Sequence, residues 1–324
     1  MGDVGVVVVT LNALPYIEHC LESLRDYETV VVDNGSTDGT PEFVQERFPN
    51  VKLVRSENRG LAAGWNRGMS ELNSPRYFLI LNADAWMVGD AVDRLVTFAD
   101  ARPDAAIIGP KLLNTDGSLQ RSVRGFPTPW RLATEYLFLR RLAPGFRPFG
   151  ASAGVGVDHR EVFDAEWVTG AAMLVRSEAI AQVGALDEDY FLFGEEVDWC
   201  YRFKSAGWNI VYYPEAHVTH VGEASHGGRM VRELARSNLR FMAKHHGKRA
   251  AERSRRVMLI GVGVRALFRR GWRRRAYKEA ARWLGSGSAM ELLARLREVD
   301  GSNGALPSGH LAHVSESRAR RDSH

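Results

Sequence analysis

Cysteine is scarce in this chain of 324 residues. Its two cysteines, Cys20 and Cys200, exclude a disulfide framework or a zinc ribbon and fit a reducing, cytoplasmic compartment. Long apolar runs are missing too, so no stretch of about 18 residues is available to span a bilayer. The N-terminal Met1-Gly2-Asp3-Val4 has no basic leader and does not read as a secretory signal. There is no Gly-Lys-Ser/Thr loop and no Gly-x-Gly-x-x-Gly after the first strand, which excludes the two commonest glycine-rich phosphate sites. Neither cysteine lies in a catalytic motif, and no Ser-His-Asp context occurs. The chain also lacks internal repeats.

What is present describes a protein with a full core. The chain is 45% hydrophobic and 25% charged, normal for one large domain or two ordinary ones. Its charge is unevenly spread. Residues 1–228 hold 20 Lys+Arg against 31 Asp+Glu, a balance of −11, whereas residues 229–324 hold 23 against 8, or +15. An acidic body with a basic tail implies that the tail meets an anionic partner, either nucleic acid or a membrane surface.

Short apolar runs alternate with helical spacings along the first hundred residues. Val4–Leu11, Thr29–Val32, Val51–Arg55 and Tyr77–Leu81 read as buried parallel strands. Pro15–Leu24, Pro41–Phe48 and Leu61–Leu72 read as the intervening helices. This order predicts an open, mostly parallel α/β sheet with its ligands at the carboxyl ends of the strands. Residues 117–165, rich in Arg, Pro, Gly and aromatics, read as a surface excursion with a helix over Trp130–Leu142. A strand over Trp167–Val175, helices over Ser177–Val183 and Glu196–Ala206, and a last strand over Trp208–Tyr213 follow. Helices are expected over Arg229–His245, Lys248–Arg275 and Tyr277–Val299, then a polar, disordered end from Asp300. Gly60, Gly64 and Gly68 read as close helix packing.

Three acidic sites follow strands: Asp33, Asp84, and the group Glu195, Glu196 and Asp198. Alone, each is a common turn former or helix cap. They belong, however, to six motifs in series: Val-Val-Thr-Leu-Asn at 8–12, Val-Asp-Asn-Gly-Ser-Thr-Asp-Gly-Thr at 32–40, Asn-Arg-Gly-Leu-Ala-Ala-Gly-Trp-Asn at 58–66, Leu-Asn-Ala-Asp at 81–84, Thr-Gly-Ala-Ala-Met-Leu-Val at 169–175, and Phe-Gly-Glu-Glu-Val-Asp-Trp-Cys-Tyr-Arg at 193–202. Together these resemble glycosyltransferase family 2 over residues 4–225, and within it the bacterial rhamnosyltransferases that extend polyprenyl-diphosphate-linked sugars.

The resemblance implies a GT-A fold and an inverting, metal-dependent, non-processive transfer of one sugar. The donor would be a nucleoside-diphosphate sugar, dTDP- or UDP-linked and most similar to dTDP-rhamnose, and the acceptor a polyprenyl-diphosphate-linked saccharide. Thr10, Asn12, Asp33, Asn34, Asn58, Gly60, Asn66, Asn82, Ala83, Asp84, Gly170 and Ala171 match the donor site. Asp33 matches the carboxylate that accepts from the imide of a pyrimidine, and Asp38 in the same loop reads as a turn and cap residue. Asp84 matches the carboxylate for Mg²⁺ or Mn²⁺, with Ala83 where that branch commonly has Pro. His220 matches a histidine that completes the metal shell, with His217 and His226 as neighbours. Glu195-Glu196 matches the acidic pair that supplies the general base, Glu196 standing where Asp is usual and Asp198 as an alternative. The Gln-x-x-Arg-Trp motif of processive members is absent. The resemblance and the charge balance together divide the chain into a catalytic domain over 1–228, with its nucleotide-sugar half at about 1–110 and its acceptor half at 111–228, a basic helical extension over 229–299, and a disordered tail over 300–324.

In that extension Lys248–Arg275 holds 11 Lys+Arg and one acid, Glu252, around the apolar run Val257–Val264. Such a stretch is expected at the inner face of a cell membrane, with Arg121, Arg124, Arg140 and Arg141 available for the acceptor's diphosphate. A homo-oligomer interface is another use for it. Two readings from other classes stand beside the enzyme: a catalytically weak nucleotide-sugar-binding scaffold, favoured by the Ala83 and Glu196 departures, and a nucleic-acid-binding protein. No recognisable nucleic-acid motif accompanies the charge.

Overall fold

The computed structural model describes residues 3–139, 158–222 and 230–300. Twelve strands are described: β1 Val4–Thr10, β2 Glu28–Asp33, β3 Lys52–Arg55, β4 Tyr77–Asn82, β5 Ala85–Met87, β6 Ala105–Leu113, β7 Leu119–Gln120, β8 Val123–Arg124, β9 Phe163–Ala165, β10 Trp167–Val168, β11 Ala172–Arg176 and β12 Asn209–His220. The helices are α1 Ile17–Glu22, α2 Thr40–Arg47, α3 Leu61–Ser70, α4 Ala91–Ala101, α5 Pro129–Tyr136, α6 Ser177–Val183, α7 Glu195–Ser205, α8 Met230–Phe268, α9 Gly271–Leu284 and α10 Gly287–Asp300.

Ten of these strands form one mixed sheet whose main path runs β3-β2-β1-β4-β11-β6-β12-β5. The expected α/β architecture is present, with β3, β2, β1 and β4 parallel. Val6, Val7 and Val8 of β1 are buried on both faces, which explains why its sequence is β-branched without alternation. Register sets the chemistry, because Thr10 pairs with Asp33 and Val9 with Asn82, so three parallel strands end at one level. β11 inserts antiparallel between β4 and β6, and Asn82 N–H donates to Ala171 O at 3.0 Å. Helix α3 lies close on β1: a Cβ at Gly68 would sit 2.3 Å from Val7 Cγ1.

Several expectations are corrected. Trp167–Val175 is two strands, β10 and β11, that pair in different sheets. The chain turns between them at Gly170, where a Cβ would meet the Trp65 ring at 2.7 Å. The last strand does not stop at Tyr213 but runs to His220 through an irregularity between Tyr213 and His217, so His220 ends the strand rather than following it. Pro214 lies at that irregularity, where its missing N–H costs least. Cys20 and Cys200 are buried and unpaired.

The basic C-terminal helices are less separate than the charge balance implies. Leu239, Phe241 and Met242 of α8 sit in the same core as β1 and α3. The helix breaks at Gly247, where φ is 78°. Beyond it, Met258, Gly261 and Val262 are buried, so the run Val257–Val264 presents only part of its surface outward. Among the described residues no helix is long and apolar enough to cross a membrane. The end from residue 301 lies outside the described residues.

Candidate active site

A hollow of about 420 Å³ opens at the carboxyl ends of β1 and β4, and its walls include Thr10, Asn12, Asn34, Asn58, Gly60, Asn82, Ala83 and Asp84. Its left-handed corner at Asn12 (φ 55°) is a conformation that Asn tolerates better than most residues. Asn12 is fixed on both sides, taking Ser36 Oγ on its N–H at 2.8 Å and accepting Thr37 N–H on Oδ1 at 2.8 Å. Asp38 ties the same loop together, accepting from Leu14 N–H and Thr40 N–H at 3.0 Å each. Asp33 is buried beside Thr10, its register partner. Its Oδ2 accepts from the N–H groups of Gly35 at 3.1 Å and Ser36 at 3.0 Å, while Oδ1 and Thr10 Oγ1 are buried without a partner. An unsatisfied buried carboxylate oxygen is costly, and a ligand N–H relieves that cost.

The antiparallel pairing of β5 with β12 brings Ala85 opposite His220, and Val221 N–H donates to Asp84 O at 3.0 Å. As a result His220 Nε2 faces Asp84 Oδ1 at 3.4 Å. The imidazole is oriented by Gln120. That amide donates from Nε2 to Asn114 Oδ1 at 2.9 Å and His220 O at 3.1 Å, so its Oε1 must accept at 2.6 Å from the Nδ1–H of His220. A neutral imidazole held this way turns the Nε2 lone pair toward the carboxylate, an arrangement that a shared cation resolves. Asp84 and His220 therefore fit a divalent ion; among the described residues no third His, Cys, Asp or Glu joins them. His217, three residues upstream, points to the other face of β12, and His226 lies outside the described residues.

At Leu61, Asn82 and Leu192 the hollow meets a larger cavity of about 730 Å³. Its lining includes Glu195, Glu196, Arg121, Arg124, Gly170, Ala171 and His220. The two glutamates open α7, where the helix dipole favours acids. They are delivered by an unusual turn, with Phe193 at φ 65° and Gly194 at φ 89°, and a bulky residue in that region is rare. Glu195 is buried with Oε2 unpartnered; Glu196 is half-buried, and its Oε2 accepts from Gly194 N–H at 3.2 Å. Burial, then the neighbouring Glu196, push Glu195 well above the ordinary carboxylate range. Burial raises Glu196 as well, opposed by hydrogen bonds from backbone N–H groups and by the Arg124 guanidinium.

Gly60 joins the two halves. A Cβ there would lie 2.3 Å from Phe191 O, at a φ of 99° that a side chain rarely adopts, and Leu61 N–H donates to Phe191 O at 3.0 Å. A Gly60→Ala variant is expected to lose roughly 1–3 kcal/mol of stability in denaturant titration and to weaken nucleotide binding. Unchanged values for both would contradict this account of the contact.

Other sequence-predicted residues fall elsewhere. Asn66 lines neither cavity: its amide is consumed by Leu186 N–H and O and by Glu188, so it secures a loop. Asp198, on α7, lines neither cavity and is bound to Arg202, Lys244 and His245, the setting of a structural anchor. Arg140 and Arg141 lie outside the described residues. The sequence reading missed Gln120, which no pattern announces. It also missed the cavity face of α8, whose Met230, Leu234, Ser237, Asn238 and Phe241 line the cavity. Their spacing is that of one helix face, a signal masked by the surrounding charge.

Residues 5–158 match the family model described as Glycosyl transferase family 2. The N-acetylglucosaminyl-diphospho-decaprenol L-rhamnosyltransferase of Mycobacterium tuberculosis is 32% identical over 283 residues, covering 76% of this chain and 86% of that protein. The succinoglycan biosynthesis protein ExoA of Rhizobium meliloti is 29% identical over 233 residues, 66% of this chain and 64% of that one. In fold the chain is similar to the crystal structure of GalNAc-T7 with UDP, GalNAc and Mn²⁺, with a TM-score of 0.54, 16% identity, and coverage of 74% of this chain and 48% of that one.

Proposed function

The chain belongs to glycosyl transferase family 2, and we propose that it transfers a sugar, rhamnose from dTDP-rhamnose, to a hydroxyl of a polyprenyl-diphosphate-linked saccharide at the cytoplasmic face of a membrane. The observation that carries this reading is the meeting of two cavities, one walled by Asp84 and the other by Glu196 and His220, with His220 Nε2 3.4 Å from Asp84 Oδ1 at the join. The donor lies in the smaller cavity. Asp33, buried beside Thr10 and not itself a wall of that cavity, has an unpartnered Oδ1 that would meet the imide N–H of a pyrimidine, a donor that guanine presents differently beside its exocyclic amine. Asn12, Asn34 and Asn58 hold the nucleoside, and Asp84 and His220 would hold Mg²⁺ or Mn²⁺. A bound ion of this kind neutralises the charge that builds on the departing diphosphate.

Glu196 takes the proton from the acceptor hydroxyl as its oxygen attacks the anomeric carbon. The new C–O bond forms on the face opposite the breaking bond to the diphosphate, so the configuration inverts and the nucleoside diphosphate leaves with the bonding pair. Glu195 is more deeply buried, and that burial favours its neutral form and limits the negative charge beside the reacting centre. Arg121 and Arg124 on the cavity wall fit the acceptor's own diphosphate. The sugar and the acceptor class are taken from the Mycobacterium tuberculosis relative, whose name gives both.

Calorimetric titration with dTDP, UDP and GDP, with and without Mn²⁺, tests the reading. The pyrimidine nucleotides are expected to bind with Mn²⁺ and the Asp84→Ala variant to weaken that binding at least about tenfold, as losing a metal ligand does. Nucleotide binding without turnover would instead favour a scaffold, and absence of binding under every condition would overturn the donor site.

A further inference from the structure

The outward surface of the C-terminal helices is unusual at one place, the junction of α8 and α9. Leu267, Phe268 and Trp272 are 73%, 83% and 51% exposed there, although large apolar side chains are rarely left so open together. Arg269, Arg270, Arg273, Arg274 and Arg275 surround them and are exposed. Among the described residues none of these five arginines makes an ion pair with an acid; Arg273 stacks on Trp272 at 5.3 Å. The apolar surface continues along α8, where Ile260 is 57% exposed and a Cβ at Gly263 would meet nothing. Ile260, Gly263 and Leu267 share one face of the helix.

The opposite face is tied to the acceptor cavity. A Cβ at Gly261 would lie 2.5 Å from Tyr136 O. Arg265 donates to Tyr136 O at 3.0 Å and Glu135 O at 2.8 Å, both on α5, and Glu135 and Leu132 of α5 line the cavity that holds Glu196. The exposed junction is therefore anchored, within one helical turn, to a wall of the acceptor site.

We propose that the junction Leu267–Arg275 docks the protein on an anionic lipid surface, with Leu267, Phe268 and Trp272 entering the acyl boundary and the arginines meeting headgroup phosphates. Aliphatic Ile260 and Leu267 offer no face for stacking a nucleic-acid base, whereas aliphatic and aromatic side chains interleaved with arginine suit the bilayer interface. Neither the apolar nor the basic group is sufficient alone, and firm attachment takes both. The docking element is thus a short knuckle rather than the whole basic stretch, since much of Val257–Val264 is buried. The proposal rests on the lipid-linked acceptor reading: docking here holds α5, a wall of the acceptor cavity, close to the surface where such an acceptor is embedded.

Co-sedimentation of the full chain with vesicles of phosphatidylcholine, with and without phosphatidylglycerol, tests it. The wild type is expected to bind only the anionic vesicles, and less in high salt. Each arginine is worth about fivefold in partitioning, so Arg269→Gln/Arg270→Gln should lower it about 25-fold. Phe268→Ser/Trp272→Ser should lower it at least about tenfold. Nucleotide titration and thermal melts should match wild type in both variants, because the substituted side chains touch neither cavity. A wild type that ignores anionic vesicles, or vesicle binding unaffected by both pairs of substitutions, would overturn the proposal. So would duplex DNA binding lost with the arginines in a protein that leaves vesicles free, or a dimer dissolved by Phe268→Ser/Trp272→Ser. Loss of nucleotide binding alone, with vesicle binding intact, would strike the donor site and not this surface.

Discussion

Replacing Glu196 by Gln is expected to lower kcat for sugar transfer by about 10²–10⁴-fold, the usual contribution of a positioned base, while dTDP still binds. The amide keeps the shape and the hydrogen bond to Gly194 N–H but cannot take a proton. Glu195→Gln is expected to cost no more than about tenfold, because burial already favours the neutral form of that carboxyl and the amide is its neutral isostere. The reverse ranking would transfer the base to Glu195. The pH profile gives an independent check. Glu196 works only when ionised, so the rate falls as pH drops through its pKa, and burial raises that pKa from the ordinary carboxylate value. The acid limb should therefore lie above the range of an exposed glutamate. Arg124 holds the pKa down, so Arg124→Gln should carry the limb to still higher pH, a displacement that a loss of acceptor affinity alone would not produce. Glu in place of the usual Asp moves the carboxylate by about one methylene, a distance that matters to proton transfer. Glu196→Asp therefore measures whether the left-handed turn at Phe193 and Gly194 compensates for the longer side chain.

Asp198→Ala is expected to cost about 3–5 kcal/mol of stability, the usual result of deleting one partner of a buried ion pair. The carboxylate is fully buried and takes hydrogen bonds from Arg202 at 2.8 Å on its own helix and from Lys244 at 2.8 Å and His245 at 2.7 Å on α8. Burial alone would raise its pKa, but His245, Lys244 and Arg202 outweigh it and hold the group well below the ordinary range. The sign follows from linkage: a depressed folded pKa contributes stability that is present above the unfolded value of about 4 and lost as pH falls below it. Denaturant titrations at neutral pH and near pH 3 should show the wild type losing stability on acidification and the variant losing less. Equal losses would remove Asp198 as the acid-sensitive link between α7 and α8. Asp198→Asn distinguishes anchor from catalyst, since an anchor's loss lowers the melting temperature even with no substrate present.

The fold was legible where local pattern and burial agree. Val4–Thr10 is apolar without alternation because both its faces are covered, and Asp33 and Asp84 stand out because turn residues follow buried runs. The sequence was opaque where long-range pairing decides. Nothing local announces that Thr169-Gly170-Ala171 divides two strands, since the cause is the Trp65 ring more than a hundred residues earlier. Asp198 and Glu196 look alike in sequence; only the packing of α8 gives one to Lys244 and His245 and leaves the other facing the cavity. The basic stretch misled because charge counts carry no direction: Arg265 faces α5, whereas Arg269 and Arg270 face outward.

The insertion of β11 between β4 and β6 constrains how the chain reaches this state. β4 can pair with β1, and β6 with β7, as soon as they are made, yet β4 and β6 cannot join into one sheet until residues 172–176 arrive between them. Closing such a loop costs entropy before any pairing returns it, and topologies dominated by such contacts fold slowly. Residues 5–158 alone, the span of the family match, would lack that strand and the strand that carries His220. The residues of β1–β4 that wall the donor hollow, and the later residues Glu196 and His220, thus come together as one site only when the sheet closes around β11 and β12.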